Sequence, residues 1–405
     1  MYSHREACRI CGSRTFIPFA DLGTTPLADT FSEDGTPLER YPLCVKVCRR
    51  CFLIQLVDVV DQSEVFPDEY GFFSGASPSL RTHFAEFHES VPCDVPGLVV
   101  EIASNDGELL RHYKDDGCRT LGIEPTQNTA LEAKRSWDID TIQQFFTEEL
   151  AHEIVSEHGK ANLVIANNVL AHVDNPVDFV SGVKVLLSSG GHFVAEVHHA
   201  QNLIFKNQFD NIYHEHLSFF SLRPLMHLFR LAGLEIYDAV EVPTQGGSLR
   251  VFATHQKQAP ERTSRLTKLL ETEEALLLYE EATYLGWQSR INYIAYTLRE
   301  RIKNIVAGGS QIAAYGASAK SCTLLNFCGL DSSLISYVVD TTPSKFGRVT
   351  PGTNIPIVSE KEERGRADYY LLTVWNYLPD ILKREAAYLQ DGGHFIIPLP
   401  EVRVV

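Results

Sequence analysis

From residue 97 onward the chain alternates short apolar runs with amphipathic stretches. The segment "GLVVEIASNDGELLRHY" is an apolar strand, a tight polar loop containing glycine, and the start of a helix. "TLGIEPTQNTALEAKRS" repeats the scheme, with an acidic residue at the strand end. "ANLVIANNVLAHVDNPVDFVSGVKVLLSSGGHFVAEV" adds a strand, a loop, a helix and a further strand. Strands at this spacing predict a parallel sheet with helices on both faces and ligands at the strand carboxyl ends.

The flanks read differently. "FIPFADLGTTPLADTFSEDGTPLERYPLCVKV" carries Gly, Pro and Asp between short apolar runs, as for short strands and turns. Residues 258–307 lose strand alternation and predict long helix, broken near Gly286, connecting two domains. Beyond them "SQIAAYGASAKSCTLLNFCGL", "SYVVDTTPSKFGRVTPGTNIPI" and "DYYLLTVWNYLPDILKREAAYLQDGGHFIIPLP" resume strand–helix alternation. The expected organisation is α/β, in three units at 1–75, 76–257 and 258–405.

Composition narrows the classes. With 405 residues, 44% of them hydrophobic, the chain has core material for several domains. A formal charge of −16, without a Lys/Arg-rich run, speaks against nucleic acid as a partner. The start "MYSHREACRICGS" lacks a signal-peptide stretch, and no run approaches the roughly 20 apolar residues of a membrane span. Nine cysteines, an odd number, fit a reducing compartment. The expectation is a cytoplasmic monomer.

Four of those cysteines form two CxxC pairs, Cys8 with Cys11 and Cys48 with Cys51. Two such knuckles present four thiolates and close a tetrahedral zinc site with no open position, so the expected zinc is structural. A redox CxxC would need only one pair.

The first strand–loop–helix unit lacks the dinucleotide fingerprint GxGxxG. Glu101 at the strand end, the loop Ala103 to Gly107 with Asn105 and Asp106, and Glu124 at the next strand end suit S-adenosylmethionine (SAM). SAM has no pyrophosphate to cradle; its ribose diol suits a carboxylate acceptor, and its sulfonium and ammonium suit an acidic pocket. Other ligands of doubly wound domains remain open on these residues alone, and Glu101 and Asp106 also suit ordinary helix-start carboxylates. Asn167 and Asn168 are polar contacts for cofactor or substrate. In the last unit the turn "YGASAKS" offers Gly316, Ser318 and Lys320 to a phosphate. A nicotinamide cofactor there is a rival reading, although GxGxxG is again missing.

The segment "IYHEHL" concentrates titratable groups between apolar flanks, "NLIFKNQFDN" and "SFFSLRPLMHLFRLAGL". Set against a core, such a cluster has its pKa values moved by desolvation and neighbouring charge.

The segments "EIASNDGELL", "GIEPTQNTA", "ANNVLAHV", "IYHEHLSFFS" and "GGSLRVF", in that order behind two CxxC pairs, resemble the nucleotide-sugar C-methyltransferases of deoxysugar biosynthesis over essentially the whole chain. The resemblance implies a zinc-binding N-terminal domain, a central class I SAM-dependent methyltransferase domain and a Rossmann-like C-terminal domain. It implies an NDP-4-keto-deoxysugar substrate, dTDP- or GDP-linked, methylated alpha to its ketone through an enolate, with C-3 favoured over C-5. His216 is then the base, with Glu215 orienting or tuning it. Tyr213 and His172 are hydrogen-bond donors to the enolate oxygen, and His214 is structural. The C-terminal domain helps hold the nucleotide-sugar, with Asp340, Lys345 and Arg348 in reach of its diphosphate or base. Three departures stand out: Ala103 where the family usually has Gly, "VHHAQ" at 197–201 for a more apolar segment, and Phe72 where a tyrosine is common. The last two, residues 197–201 and the stretch around Phe72 including Tyr70, are expected to line the sugar. The rival classes are an NAD(P)-dependent nucleotide-sugar oxidoreductase or epimerase, and a non-catalytic nucleotide-sugar binding protein.

Overall fold

The computed structural model describes residues 2–68 and 70–405. Its largest sheet has seven strands, in the order Leu234–Val242, Ser248–His255, Leu187–His198, Ala161–Asn167, Leu98–Ile102, Arg119–Ile123, Thr141–Ile142. The last five are mutually parallel, and Ser248–His255 runs antiparallel to both of its neighbours. All five residues of Leu98–Ile102 are buried, as a central strand covered on both faces requires. The chain leaves this strand toward one edge and later returns on its other side with Ala161–Asn167. The order therefore reverses between Glu101 and Asn167, which makes that crevice the ligand position of the sheet.

A second parallel sheet carries the C-terminal part. Its order is Ile357–Ser359, Val338–Asp340, Ile312–Tyr315, Tyr369–Leu372, His394–Ile397, with Arg403–Val404 antiparallel at the edge. A smaller antiparallel sheet is built from Phe16–Thr25, Tyr41–Cys48 and Ile54–Leu56, and Ser218–Phe219 adds its fourth strand. Strand Tyr41–Cys48 buries Tyr41, Leu43, Val45 and Val47 in strict alternation, so one face of the small sheet turns inward. Because Ser218 follows "IYHEHL" directly, this pairing fixes the histidine cluster against the N-terminal module.

Helix Trp287–Ala307 follows Gly286, which takes φ +76° and turns the chain at the expected break. Trp287 is fully buried, stacks on Phe19 at 4.4 Å and donates its indole N–H to the Ile204 carbonyl at 3.0 Å. One apolar core thus joins the small sheet, residues 200–219, this helix and the inner face of the C-terminal sheet. The helix acts as a shared wall as well as a connector. No helix among the described residues is long and apolar enough to cross a membrane.

Candidate active site

Cys8, Cys11, Cys48 and Cys51 bring their sulfurs within 4.8 Å of one another. Cys8 Sγ lies 3.4 Å from Cys51 Sγ, and Cys11 Sγ lies 3.5 Å from Cys48 Sγ. Zinc–sulfur bonds of about 2.3 Å in a tetrahedron place neighbouring sulfurs about 3.8 Å apart, so the four thiolates fit a closed zinc site. The knuckles are tight: Gly12 at φ +67° and Phe52 at φ +61° return their N–H groups to the carbonyls of Cys8 and Cys48. Between the cysteines, buried Arg9 donates to the Leu56 carbonyl and, through Nε at 3.2 Å, to Asp174. Arg5 reaches the same carboxylate at 2.7 Å. The zinc module thereby grips the loop that carries His172, a link that spacing in the sequence did not reveal.

The loops at the reversal of the seven-stranded sheet gather the expected cofactor residues. Ala103, Asn105, Gly107 and Asn168 all have positive φ, so the loops curl back over the strand ends. At φ +58° Ala103 holds a conformation that glycine adopts without strain, which accounts for the glycine usual there in the resembling family. Asn105 N–H donates to Glu124 Oε2 at 3.0 Å, while Thr126 donates to Oε1 from its backbone and its hydroxyl. Burial raises the Glu101 carboxyl well above its ordinary range, with Asp106 and Glu124 adding to the effect. Asp106 and Glu124 are raised for the same first reason. Glu101 Oε2 and both amide atoms of Asn167 are buried without a hydrogen-bond partner. Three crowded carboxylates and an unsatisfied amide fit the cation, amine and diol of SAM, which supplies a methyl electrophile when bound. Glu101, Asn167 and Glu124 are the groups that would hold it.

A strap closes over these loops. Ser74 donates to Asn105 and Asp106, Gly75 N–H to Asp106 at 2.8 Å, and Asn105 to the Phe72 carbonyl at 3.0 Å. Asn128 pairs with both backbone groups of Tyr70, at 2.8 and 3.1 Å, and the Tyr70 hydroxyl points to Glu215 at 3.5 Å. Asn128 was absent from the expected site, and Ser74 stood only within the stretch expected to line the sugar, without a role of its own. Their only signal is nearness: Asn128 stands four residues after Glu124.

His216, Tyr213 and His172 meet. The His216 Nδ1 lies 2.8 Å from the Asn211 carbonyl, which can only accept, so Nδ1 carries the proton and Nε2 the lone pair. That lone pair receives the Tyr213 hydroxyl at 2.9 Å. The His172 ring stands edge-on to His216 at 4.9 Å. Burial lowers the His216 pKa well below the ordinary histidine value, with His172 next in effect, and pushes His172 down to about 4. Both rings are neutral at pH 7. The Tyr213 hydroxyl is raised well above its usual range by burial, then by Glu215 and Asp29. Glu215 itself is raised by burial and by Asp29. Glu215 makes no hydrogen bond to His216; the orienting acceptor is the Asn211 carbonyl, and Glu215 faces Tyr70 instead. A cavity of about 60 Å³ beside Glu215 is lined by Asp29, Glu64 and His214 among others. His214 turns to the Pro42 carbonyl at 3.2 Å and packs edge-on against Tyr41.

In the C-terminal sheet the expected substrate residues are mostly engaged with one another. Ser318 caps its own helix at Ser321 N–H. Asp340 accepts from Ala317 N–H at 2.7 Å and Thr342 N–H at 2.8 Å, and Lys345 donates to the Ala317 carbonyl at 2.7 Å. Buried Lys320 donates to the Gln245 carbonyl at 3.2 Å beneath the Trp375 ring, and Arg348 is exposed. From "VHHAQ", His198 bonds Gln208 at 2.7 Å and His199 bonds Glu273 at 2.7 Å.

The chain matches the models of a zinc binding domain over residues 8–66, a methyltransferase domain over 79–239 and a C-methyltransferase C-terminal domain over 243–400. It is 36% identical over 408 residues to the C-methyltransferase NovU of Streptomyces niveus, covering 99% of this chain and 97% of that protein. Among solved structures it overlaps magnesium protoporphyrin IX methyltransferase of Synechocystis PCC 6803 with bound SAM (TM-score 0.32, 14% identity, 45% of this chain and 79% of that one). It also overlaps the glycopeptide N-methyltransferase MtfA complexed with sinefungin (TM-score 0.35, 13% identity, 47% of this chain and 90% of that one). A four-thiolate module, a methyltransferase sheet and a C-methyltransferase C-terminal domain follow one another along nearly the full length of such a relative, and the chain belongs to the SAM-dependent C-methyltransferases that carry an N-terminal zinc-binding domain.

Proposed function

We propose that this C-methyltransferase acts on an NDP-4-keto-deoxysugar, dTDP- or GDP-linked, at a carbon alpha to the ketone, with C-3 taken ahead of C-5. The observation that carries the reading is the neutral His216, whose Nε2 lone pair faces the Tyr213 hydroxyl while Nδ1 is pinned to Asn211. A carbon nucleophile requires removal of a C–H proton, and a neutral imidazole with a fixed tautomer serves as that base. As the ketone enters, the Tyr213 O–H turns from Nε2 to the ketone oxygen. The freed lone pair takes the alpha proton, and the C–H electron pair becomes the enolate that Tyr213 stabilises. His172, edge-on to His216, is the second candidate donor, and Glu215 positions Tyr70. The resulting imidazolium keeps its Nδ1–H on the Asn211 carbonyl. A monomer as the working unit and the cytoplasm as its compartment remain part of the proposal.

The test is incubation with SAM and a panel of dTDP- and GDP-linked 4-keto sugars. The expected result is a mass gain of one methyl, with its carbon read by NMR. Products methylated on oxygen, or no product from any member, would sink the proposal.

A further inference from the structure

The Asn211 carbonyl that fixes His216 ends a short turn, Phe209–Asn211, that is tied down at several points. Asp210 accepts the Trp375 indole N–H at 2.5 Å, and the Ile212 carbonyl accepts the Thr323 hydroxyl at 2.8 Å. Between these two anchors Asn211 is gripped twice by one residue. Its backbone N–H donates to the Gln208 carbonyl at 3.0 Å, and its side-chain amide donates to Gln208 Oε1 at 3.3 Å. Gln208 is fully buried, so its own amide has to be satisfied inside the protein. The Nε2 end donates to the Gly246 carbonyl at 3.1 Å, and a Cβ on Gly246 would press on that nitrogen at 3.2 Å.

The remaining partner comes from "VHHAQ", the segment that departs from the resembling family. His198 Nε2 lies 2.7 Å from Gln208 Oε1. The proton positions follow from the ends of this chain of bonds. The Gly246 carbonyl only accepts, so the oxygen end of the Gln208 amide faces His198 and accepts there. His198 therefore carries its hydrogen on Nε2. Asn211 Nδ2 lies 3.2 Å from that same nitrogen, which has no lone pair left, and its hydrogen goes to Gln208 instead. Burial, with Lys320 next in effect, pushes the His198 pKa down to about 3, so the ring stays neutral. The backbone N–H of His199 donates to the Gly247 carbonyl at 3.1 Å, which keeps the Gly246–Gly247 turn at a set distance from His198. The path thus runs from that turn through Gln208 and Asn211 to His216 and ends at the Tyr213 hydroxyl.

We infer that Gln208, anchored by His198 and the Gly246 carbonyl, is a positioning residue for the base and holds the Asn211 carbonyl on His216 Nδ1. This rests on His216 as the base of the proposed reaction. Without the grip Asn211 turns, and the His216 hydrogen is free to sit on Nε2, where it blocks the lone pair that takes the alpha proton. The carbonyl matters more once His216 becomes imidazolium, because hydrogen bonds from a charged donor are roughly twice as strong as neutral ones. Outer partners that orient a metal-bound histidine contribute about 10–100-fold to activity, and the same order is expected for an imidazole base.

The test compares Gln208→Leu, His198→Leu and His198→Gln with wild type in the full zinc-loaded chain. A glutamine keeps a donor nitrogen where the His198 Nε2–H stands, so it should recover most of what leucine loses. NMR of the substrate-free protein with isotope-labelled histidine nitrogens reads the His216 tautomer, its signal assigned by absence in His216→Gln. Wild type should show hydrogen on Nδ1 alone, and the two leucine variants a mixture. With the sugar nucleotide as substrate, both leucine variants should lower kcat about 10–100-fold and slow deuterium entry at the alpha carbon by the same factor. KM and the affinity for S-adenosylhomocysteine should stay at wild-type values, which a general loss of packing would not allow. An Nδ1-only signal in both leucine variants overturns the inference. So does a KM that rises as kcat falls, or a His198→Gln chain as slow as His198→Leu. If Gln208→Leu does not fold, the two His198 variants decide. If wild type methylates no sugar nucleotide, the proposed reaction falls, and the tautomer readout still decides the positioning.

Discussion

Asp174 lies outside both the zinc site and the histidine cluster, yet the structure makes it the tie between them. Its carboxylate accepts from Arg5 at 2.7 Å and from Arg9 at 3.2 Å. The two bonds are unequal. The Arg5 side chain is 30% exposed and Asp174 is 38% exposed, so that pair is screened and contributes about 0–1 kcal/mol. The Arg9 side chain is 0% exposed, and without Asp174 its Nε loses its acceptor. Its Nη2 already has none, leaving only the Leu56 carbonyl at Nη1. Breaking a fully buried pair costs about 3–5 kcal/mol; water reaching the half-exposed carboxylate reduces this to about 2–3 kcal/mol. Asp174→Ala should therefore release zinc to a chromogenic chelator faster and lower the urea midpoint. It should also lower kcat by loosening the His172 loop, with SAM affinity unchanged. Replacing the cation as well, in Arg9→Met with Asp174→Ala, should recover at least about 1.5 kcal/mol relative to the sum of the single changes, because no buried charge is then stranded. Zinc retention equal to wild type in Asp174→Ala, or strictly additive costs in the double variant, would refute this account of the link.

Three further outcomes follow from the same geometry. His216→Ala should lose about 10²–10⁴-fold in kcat and, with S-adenosylhomocysteine bound, stop deuterium entering the alpha carbon from D2O; retained exchange would move the base elsewhere, His172 first. The raised Glu101, Asp106 and Glu124 carboxyls should make SAM binding weaken as pH falls, because a cationic ligand favours their ionised forms. Proton release on binding, measured by calorimetry in two buffers, checks the sign, and Glu101→Gln should reduce it. Cys8→Ser should cost the zinc and with it the fold of the N-terminal module, read by metal analysis and proteolysis; a wild-type protein that holds no zinc would contradict the four-thiolate fit.

Patterns of short range were legible in the chain itself. Two CxxC pairs determined a four-sulfur site because knuckle geometry is local, and apolar runs broken by polar loops determined the parallel strands of two sheets, though not their antiparallel edges, because side-chain periodicity reports burial. The helix break at Gly286 was likewise written in one residue. Which strands flank the reversal beside Glu101 and Asn167 came only with the strand order of the folded sheet. What only the tertiary structure decided were contacts between segments far apart in sequence. Glu215, next to His216 in the chain, faces Tyr70, while a backbone carbonyl at Asn211 sets the histidine tautomer. No residue type announces a carbonyl acceptor, so composition could not reveal it. Arg9 reaching Asp174, Asn128 clamping Tyr70 and Val374 filling the space at Gly316 all depend on how the sheets are docked. The docking is set by one shared apolar core around Trp287, where burial is nondirectional and sequence specifies the amount of apolar surface but not which surfaces meet.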